Sequence, residues 1–242
     1  TEWIKKAAEQ GVAAAQNNLG ICCSEGRSME VDETKAVEWF RKAAEQEQLQ
    51  AHFNLAVRLR DGRGVETDLK AAREFFLKAA GNELTAAQFA LAEMCAQGEG
   101  GEQNETVATQ WIRKAAEQGH AGAQNNLAER LVETNSAEAM EWYEKAAEQN
   151  CVPAQYNLGR HLLEGDGVPV DSKAGVQWLR LAAAAHHTEA QYLLGRIFDE
   201  GIMADPDPTE AVKLFRMAAE GGKAEAQFAL AVSLERGEGC AT

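Results

Sequence analysis

The sequence KAAEQ at residues 42–46 is one of four identical copies in a chain of 242 residues. The other copies begin at Lys6, Lys114 and Lys145, so successive copies are 36, 72 and 31 residues apart. A fixed internal period of this length is typical of repeat arrays, in which each unit packs only against its neighbours. The sequence therefore predicts a repeat protein with a period of 36 residues.

Aligning the copies divides the chain into six full repeats with a half repeat at each end. The full repeats are 12–47, 48–83, 84–119, 120–150, 151–186 and 187–222, and the half repeats are 1–11 and 223–242. Each full repeat has 36 residues except the fourth, which has 31. Because repeat arrays grow by stacking units rather than around a central core, we expect residues 1–242 to form one domain.

Three columns of small and apolar residues predict a first helix in every repeat, which we call helix A. In the first full repeat they are Ala15, Leu19 and Cys23, and spacings of i, i+4 and i+8 fall on one face of a helix. A Gly then ends helix A in five of the six full repeats, since Gly adopts the left-handed conformation without steric cost. These glycines are Gly26, Gly62, Gly98, Gly165 and Gly201.

An Asp or Asn in each full repeat predicts the start of a second helix, helix B, because these side chains cap free backbone N–H groups. The caps are Asp32, Asp68, Asn104, Asn135, Asp171 and Asp207. Helix B carries a large residue before an Ala-Ala pair, and we expect that residue to fill the space between helices. The large residues are Trp39, Phe75, Trp111, Trp142, Trp178 and Leu214. Helices this short are unstable in isolation, so helices A and B must pack against each other and against the next repeat. The sequence therefore predicts an all-α fold, an α/α superhelical solenoid.

Several segments resemble a known repeat family. AQNNLG at 15–20, GRGV at 62–65, GDGV at 165–168 and KAVEWFRKAAEQ at 35–46 are similar to the Sel-one-like repeat (SLR), a relative of the tetratricopeptide repeat. The resemblance covers nearly the whole chain; it departs in the shortened loop of the fourth repeat and after Gly26. It implies a non-enzymatic scaffold or adaptor that binds a protein or peptide, without naming that partner.

Composition restricts the class of partner. The net charge is −14, with 38 acidic and 24 basic residues, so nucleic acid and anionic membrane surfaces are poor partners. No apolar run approaches the roughly 20 residues that span a bilayer, so we expect no membrane insertion. The chain starts without Met inside a helical pattern, which suggests a fragment of a longer chain whose half repeats could associate end to end.

The cysteines favour a reducing compartment, the cytoplasm, with periplasmic, secreted or endoplasmic-reticulum locations as alternatives. They are Cys22, Cys23, Cys95, Cys151 and Cys240, without CxxC spacing or pairing by repeat. Cys23 occupies a core column, so we interpret it as a buried apolar side chain. In a cysteine-rich branch of the family each repeat contains a disulfide bond, and this chain lacks that cysteine pattern.

We expect no catalytic residues, no cofactor and no metal. Glu164, Asp166 and Asp171 cluster around a Gly-rich loop but lack the alternating oxygen ligands of a calcium loop, which favours a solvated loop. Two alternatives to the adaptor stay open. One is a hydrolase-type activity of the kind proposed for cysteine-rich relatives, and the other is a structural spacer within a longer array.

The face of helix A opposite its core columns is the predicted ligand groove, on the concave side of the solenoid. One column of this face reads Asn17, Phe53, Phe89, Asn125, Tyr156, Tyr192 and Phe228. Five aromatic rings of seven residues predict interface anchors, because such rings give large contact area at small entropic cost. The alternative is that the rings stack on neighbouring repeats and make the array rigid.

Charged residues follow one turn later on the same face, acidic in the middle of the array and basic towards its C-terminal end. They are Glu93, Glu129, Arg160 and Arg196. Guanidinium groups beside aromatic rings suit a carboxylate of an extended peptide. The alternative is that Glu164 and Glu200, four residues further on, pair with the two arginines.

Overall fold

The computed structural model describes residues 2–166, 168–202 and 205–237, and these residues form fourteen α-helices and no β-strand. Cys240 lies outside the described residues. The chain divides into two compact units, Thr1–His120 and Ala121–Thr242. Helices A and B alternate along each unit, and within each unit every helix packs against the next one. The predicted all-α repeat fold is confirmed.

The first unit contains seven helices of 8 to 13 residues. They are α1 (Glu2–Glu9), α2 (Ala13–Glu25), α3 (Glu33–Ala44), α4 (Leu49–Asp61), α5 (Leu69–Gly81), α6 (Thr85–Gln97) and α7 (Glu105–Glu117). The second unit contains α8 (Ala121–Leu131), α9 (Ser136–Glu148), α10 (Val152–Glu164), α11 (Ser172–Ala184), α12 (Thr188–Glu200), α13 (Pro208–Glu220) and α14 (Ala224–Glu235). The odd-numbered helices are helices B, and the even-numbered ones are helices A.

The predicted caps determine where the helices begin and end. Asp32 accepts a hydrogen bond from the backbone N–H of Lys35 at 2.9 Å, and the other five predicted cap residues make the same bond three residues on. All five predicted terminal glycines adopt the left-handed conformation, with φ between 64° and 78°. Both sets of predictions are confirmed.

The large residue that fills the space between helices A and B is the one after the predicted column. The fully buried residues are Phe40, Phe76, Ile112, Tyr143, Leu179 and Phe215, each at most 2% exposed. The expectation for the Trp39 column was wrong, because its members are only partly buried apart from Leu214. The buried ring lies against a small residue of helix A: a Cβ on Gly20 would meet the Phe40 ring at 2.6 Å.

The indole rings have a different neighbour, the Lys of KAAEQ. The Lys42 ammonium lies 4.3 Å from the centre of the Trp39 ring, and the same contact recurs at Trp111 and Trp142. Such cation–π contacts contribute about 0.5–1 kcal/mol at exposed sites. Because Lys follows Trp by three residues in each of these repeats, the Lys side chain covers the half-buried indole ring on helix B.

A Gln near the start of helix A, buried in every case here except Gln227, joins it to the preceding helix B. Its side-chain amide donates to the carbonyl of the second Ala of the Ala-Ala pair, eight residues earlier, at 3.1 to 3.4 Å. The donors are Gln16, Gln88, Gln155, Gln191 and Gln227. In the second full repeat this position is His52, which is 1% exposed and has no hydrogen-bond partner for either ring nitrogen.

Replacing His52→Gln should stabilise the protein. A glutamine there can donate to the Ala44 carbonyl, as its counterparts do, and one such bond contributes about 0.5–1.5 kcal/mol. Burial lowers the pKa of His52, although the carboxylate of Glu47, 3.7 Å away, and the backbone carbonyl of Ala44 oppose the shift. The unfolded chain therefore binds the proton more readily, so the His52 protein loses stability as pH falls below about 6.5.

The measurement is urea denaturation of both proteins between pH 8 and pH 5. The difference in unfolding free energy should favour His52→Gln at pH 8 and grow towards pH 5. Other histidines titrate equally in both proteins, so they cancel in the difference. A difference that shrinks on acidification would contradict the assignment of His52 as a buried neutral imidazole.

Candidate functional site

The predicted aromatic column lies on helices A, but most of it is not free surface. Asn17 and Asn125 are buried, at 4% and 5% exposure, while Phe228 is 73% exposed. The half-buried members are Phe53, Phe89, Tyr156 and Tyr192. Six of the seven residues are therefore at least half covered by intramolecular contacts.

Three of the four half-buried rings contact the residue just before the next helix A, whereas Phe53 lies edge-on to Phe76 of helix B. Phe89 stacks on His120 with ring centres 4.6 Å apart, and Tyr156 stacks on His187 at 4.7 Å. The Lys223 ammonium lies 5.0 Å from the centre of the Tyr192 ring. These contacts correspond to the alternative in which the rings pack against neighbouring repeats.

The two asparagines of the column join adjacent helices A by hydrogen bonds. Asn54 donates to the Asn17 side-chain oxygen at 2.9 Å, and Asn157 donates to the Asn125 oxygen at 3.2 Å. Asn125 and Asn157 also donate to the Glu129 carboxylate, at 2.9 and 3.2 Å. Asn17, Asn125 and Glu129 are thus engaged within their own units.

Glu93 lies on α6 and is an exposed residue. Desolvation by neighbouring groups raises the pKa of the Glu93 carboxyl, and the nearby Arg60 only partly offsets this. Glu93 and Glu129 belong to different units, so each contributes to a local surface of its own unit.

The two predicted arginines are paired with the carboxylates that the sequence offered as an alternative. Arg160 donates to Glu164 at 2.8 Å, and Arg196 donates to Glu200 through two nitrogens at 2.9 and 2.7 Å. Both are i,i+4 pairs within one helix. A carboxylate from a ligand would have to compete with Glu164 and Glu200 for these guanidinium groups.

An apolar cavity of about 180 Å³ lies between these two ion pairs, and we call it the Arg–Glu slot. Its walls are Arg160, Glu164, Arg196 and Glu200, and its apolar lining is Leu163, Leu193, Ile197 and Ile202. Ile202 is half exposed at the mouth, whereas Leu163 and Ile197 are buried. The volume suits one or two aliphatic side chains, with charged groups around the opening.

Sequence reasoning identified the two arginines of the slot but missed its apolar lining. Leu193 and Ile197 follow Tyr192 and Arg196 by one residue and belong to columns that were not predicted to form the groove. The sequence did contain a sign of this apolar lining. Ile202 directly follows the terminal Gly201, at a position that is not part of any core column.

A second, larger cavity of about 620 Å³ in the same unit borders three of the predicted site residues, Tyr192, Arg196 and Phe228. The buried ring of Phe215 forms part of its lining, together with residues of α14 such as Val232. Four of the seven predicted site residues of the second unit border this wide cavity or the Arg–Glu slot, and Arg196 borders both. Asn125, Glu129 and Tyr156 border neither.

The described cysteines are four free thiols: Cys22, Cys23, Cys95 and Cys151. Cys23 is buried, its Sγ lies 3.5 Å from the Met29 sulfur, and burial raises the pKa of its thiol. The interpretation of Cys23 as a core residue is confirmed. Among the described residues no helix combines the length and the apolar composition that crossing a bilayer requires.

The repeat architecture and the cap and Gly signatures define a Sel1-type helical repeat protein. The Sel1 repeat family model matches residues 1–12, 13–47, 49–82, 85–120, 121–151, 152–187, 188–223 and 224–242. The chain belongs to the Sel1 repeat family, whose members typically mediate protein–protein interactions and are generally non-catalytic scaffolds.

Solved structures give the same fold. A protective antigen of uropathogenic Escherichia coli with an SLR fold is 35% identical, with a TM-score of 0.92 over 98% of this chain and 52% of that one. A Sel1 repeat protein from Oxalobacter formigenes is 28% identical, with a TM-score of 0.80 over 87% and 89%. This chain thus spans about half the length of the antigen. No curated protein sequence matches the chain.

Two substitutions in the aromatic column should separate packing residues from surface residues. Tyr156→Ser should destabilise the protein by about 1–3 kcal/mol, because it removes the ring that stacks on His187. Phe228→Ser should change stability by no more than about 0.5 kcal/mol, since that ring is mostly in water. The measurement is urea denaturation of both variants at one pH. Equal effects of the two substitutions would contradict the stacking account.

Proposed function

We propose that the protein is a non-enzymatic scaffold or adaptor that binds an extended peptide segment of a partner protein on the helix A face, at the Arg–Glu slot. The observation that carries the proposal is an apolar cavity framed by two Arg–Glu pairs. Apolar lining with a few polar groups at the opening is the usual composition of a site that anchors a side chain. The slot belongs to one unit and is formed by the C-terminal halves of α10 and α12 and the segment after α12.

The chemistry of the slot favours a peptide with an aliphatic residue next to a charged or amide group. Leu193 and Ile202 offer an apolar surface backed by the buried Ile197, so transfer of an aliphatic side chain from water supplies binding free energy. Arg196 is exposed at the rim, and its hydrogen bonds to Glu200 raise its pKa, so the group stays charged at neutral pH. Its remaining N–H donors can bind a backbone carbonyl or a carboxylate of the peptide.

The net charge of the chain supports a protein partner over a nucleic acid. A charge of −14 repels phosphate backbones, and each arginine of the slot is already paired with a carboxylate. A carboxylate ligand gains only the difference between its own contact and that of Glu164 or Glu200. Specificity in the proposed site therefore comes mainly from the apolar anchor, with the ion pairs setting its orientation.

The structural spacer and the hydrolase-type activity remain the alternative functions. The spacer differs from the proposal in a simple way, because substitutions at the slot would have no effect on binding. A hydrolase would require turnover of a substrate, whereas an adaptor retains its peptide unchanged. Mass spectrometry of the bound peptide after incubation separates these two outcomes.

The test is selection of peptides from a random display library on the whole chain, followed by fluorescence polarisation with the selected peptides. Ile202→Arg should weaken binding at least tenfold, because a long charged side chain fills the mouth of the slot. Arg196→Gln should weaken binding less and reduce its salt dependence if the guanidinium meets peptide charge. Both positions are exposed enough to leave the melting temperature nearly unchanged.

Matched controls lie on helices B of the same unit. Leu181→Arg and Arg216→Gln change exposed residues of α11 and α13 and should leave the affinity unchanged. If Ile202→Arg and Leu181→Arg have equal effects, or if no peptide is selected, the proposal of a peptide site at the slot is wrong.

A further inference from the structure

A buried histidine and two carboxylates meet where α10 ends. His161 and Glu164 lie in the last turn of α10, and Asp166 follows the terminal Gly165. One ligand atom from each of the three side chains lies within 4.8 Å of the other two. The sequence grouped Glu164 and Asp166 with Asp171, but Asp171 caps α11 by accepting from the Ala174 N–H at 3.0 Å. The structure supplies His161 as the third member instead.

His161 is the unusual member of the cluster. Its side chain is nine-tenths or more buried, and its Nδ1 is enclosed without a hydrogen-bond partner. This nitrogen faces Asp166, whose carboxylate oxygen is 3.6 Å away. Stacking on Tyr143, with ring centres 5.7 Å apart, holds the imidazole in this orientation. A buried polar atom without a partner is costly, so its retention requires a reason.

We propose that His161, Glu164 and Asp166 bind a divalent transition-metal ion of the Zn²⁺ class. One imidazole nitrogen and two carboxylates form a ligand set that Zn²⁺ accepts, with water in the remaining position. Ca²⁺ fits less well, because it takes six to eight oxygen ligands. His161 and Glu164 have the i,i+3 spacing that places two side chains on one helical face.

The carboxylates can move to complete the coordination. Ligand atoms around a tetrahedral Zn²⁺ lie about 3.3 Å apart, which follows from metal–ligand distances near 2.0–2.1 Å. The ligand atoms are now further apart than this, so the Glu164 and Asp166 carboxylates have to move towards His161. Their side chains are 47% and 62% exposed and therefore free to move. The buried ring of His161 is already fixed.

Arg160 is the resident cation that a metal ion has to displace. Its guanidinium donates to Glu164 at 2.8 Å and lies 3.1 Å from Nε2 of His161. A donor at Nε2 leaves the proton of the neutral ring on Nδ1, which faces Asp166. Metal binding through Nδ1 therefore requires the guanidinium to turn away, so that the ring proton can move to Nε2. Removing Arg160 should tighten metal binding.

The experiment is calorimetric titration of the whole reduced chain with ZnCl₂ at pH 7.5. The five cysteines also bind Zn²⁺, so the informative quantity is the difference between proteins that share them. Asp166→Asn and Glu164→Gln should lose one binding site or weaken it at least tenfold. Arg160→Met should bind that ion at least threefold more tightly than the unmodified chain.

His52→Gln is the matched control, because His52 is equally buried but has one carboxylate nearby, that of Glu47 at 3.7 Å. It should bind ZnCl₂ like the unmodified chain. Without metal, Asp166→Asn, Glu164→Gln and the unmodified chain should have the same melting temperature. Addition of ZnCl₂ should raise the melting temperature of the unmodified chain most. Identical stoichiometry and affinity in all three would overturn the proposed site, as would loss of all Zn²⁺ binding on cysteine alkylation alone.

Discussion

Close approach of helices A and B is the constraint on which the rest of the structure depends. Helices of 8 to 13 residues are marginal in isolation, so their stability comes from burial against neighbours. That burial is achieved by setting a large side chain of helix B on a small residue of helix A. The Phe215 ring would lie 2.7 Å from a Cβ on Gly195, and Leu179 would lie 2.9 Å from one on Gly159. A larger residue there would separate the helices.

Close packing between repeats also determines which side chains are left free to contact a partner. The rings of Phe89 and Tyr156 are covered by histidines that open the next helix A, so they hold repeats together. The apolar lining of the Arg–Glu slot on α12 lies one residue further on, at the partly buried Leu193 and the buried Ile197, between two ion pairs. The proposed binding surface therefore lies beside the aromatic column rather than on it.

Sequence periodicity predicted the helices and their limits because caps and glycine ends are local features; Asp32 and Gly26 act without any distant partner. It located the core columns of helix A for the same reason. It misplaced the filling residue of helix B, because Trp39 and Phe40 are adjacent, both large, and only the packing of Gly20 selects between them. Sequence periodicity also did not predict how far the Tyr156 ring is exposed, because its exposure depends on a contact with His187 in another repeat.

Hydrogen–deuterium exchange of the whole chain with a selected peptide tests the central claim most directly. The account predicts protection in the segments that border the Arg–Glu slot, at the ends of α10 and α12 (Val152–Glu164 and Thr188–Glu200). Exchange in α11 and α13 should change little, because their exposed residues Leu181 and Met217 lie outside the slot. Protection confined to α11 and α13 would contradict the account and place the binding surface on helices B.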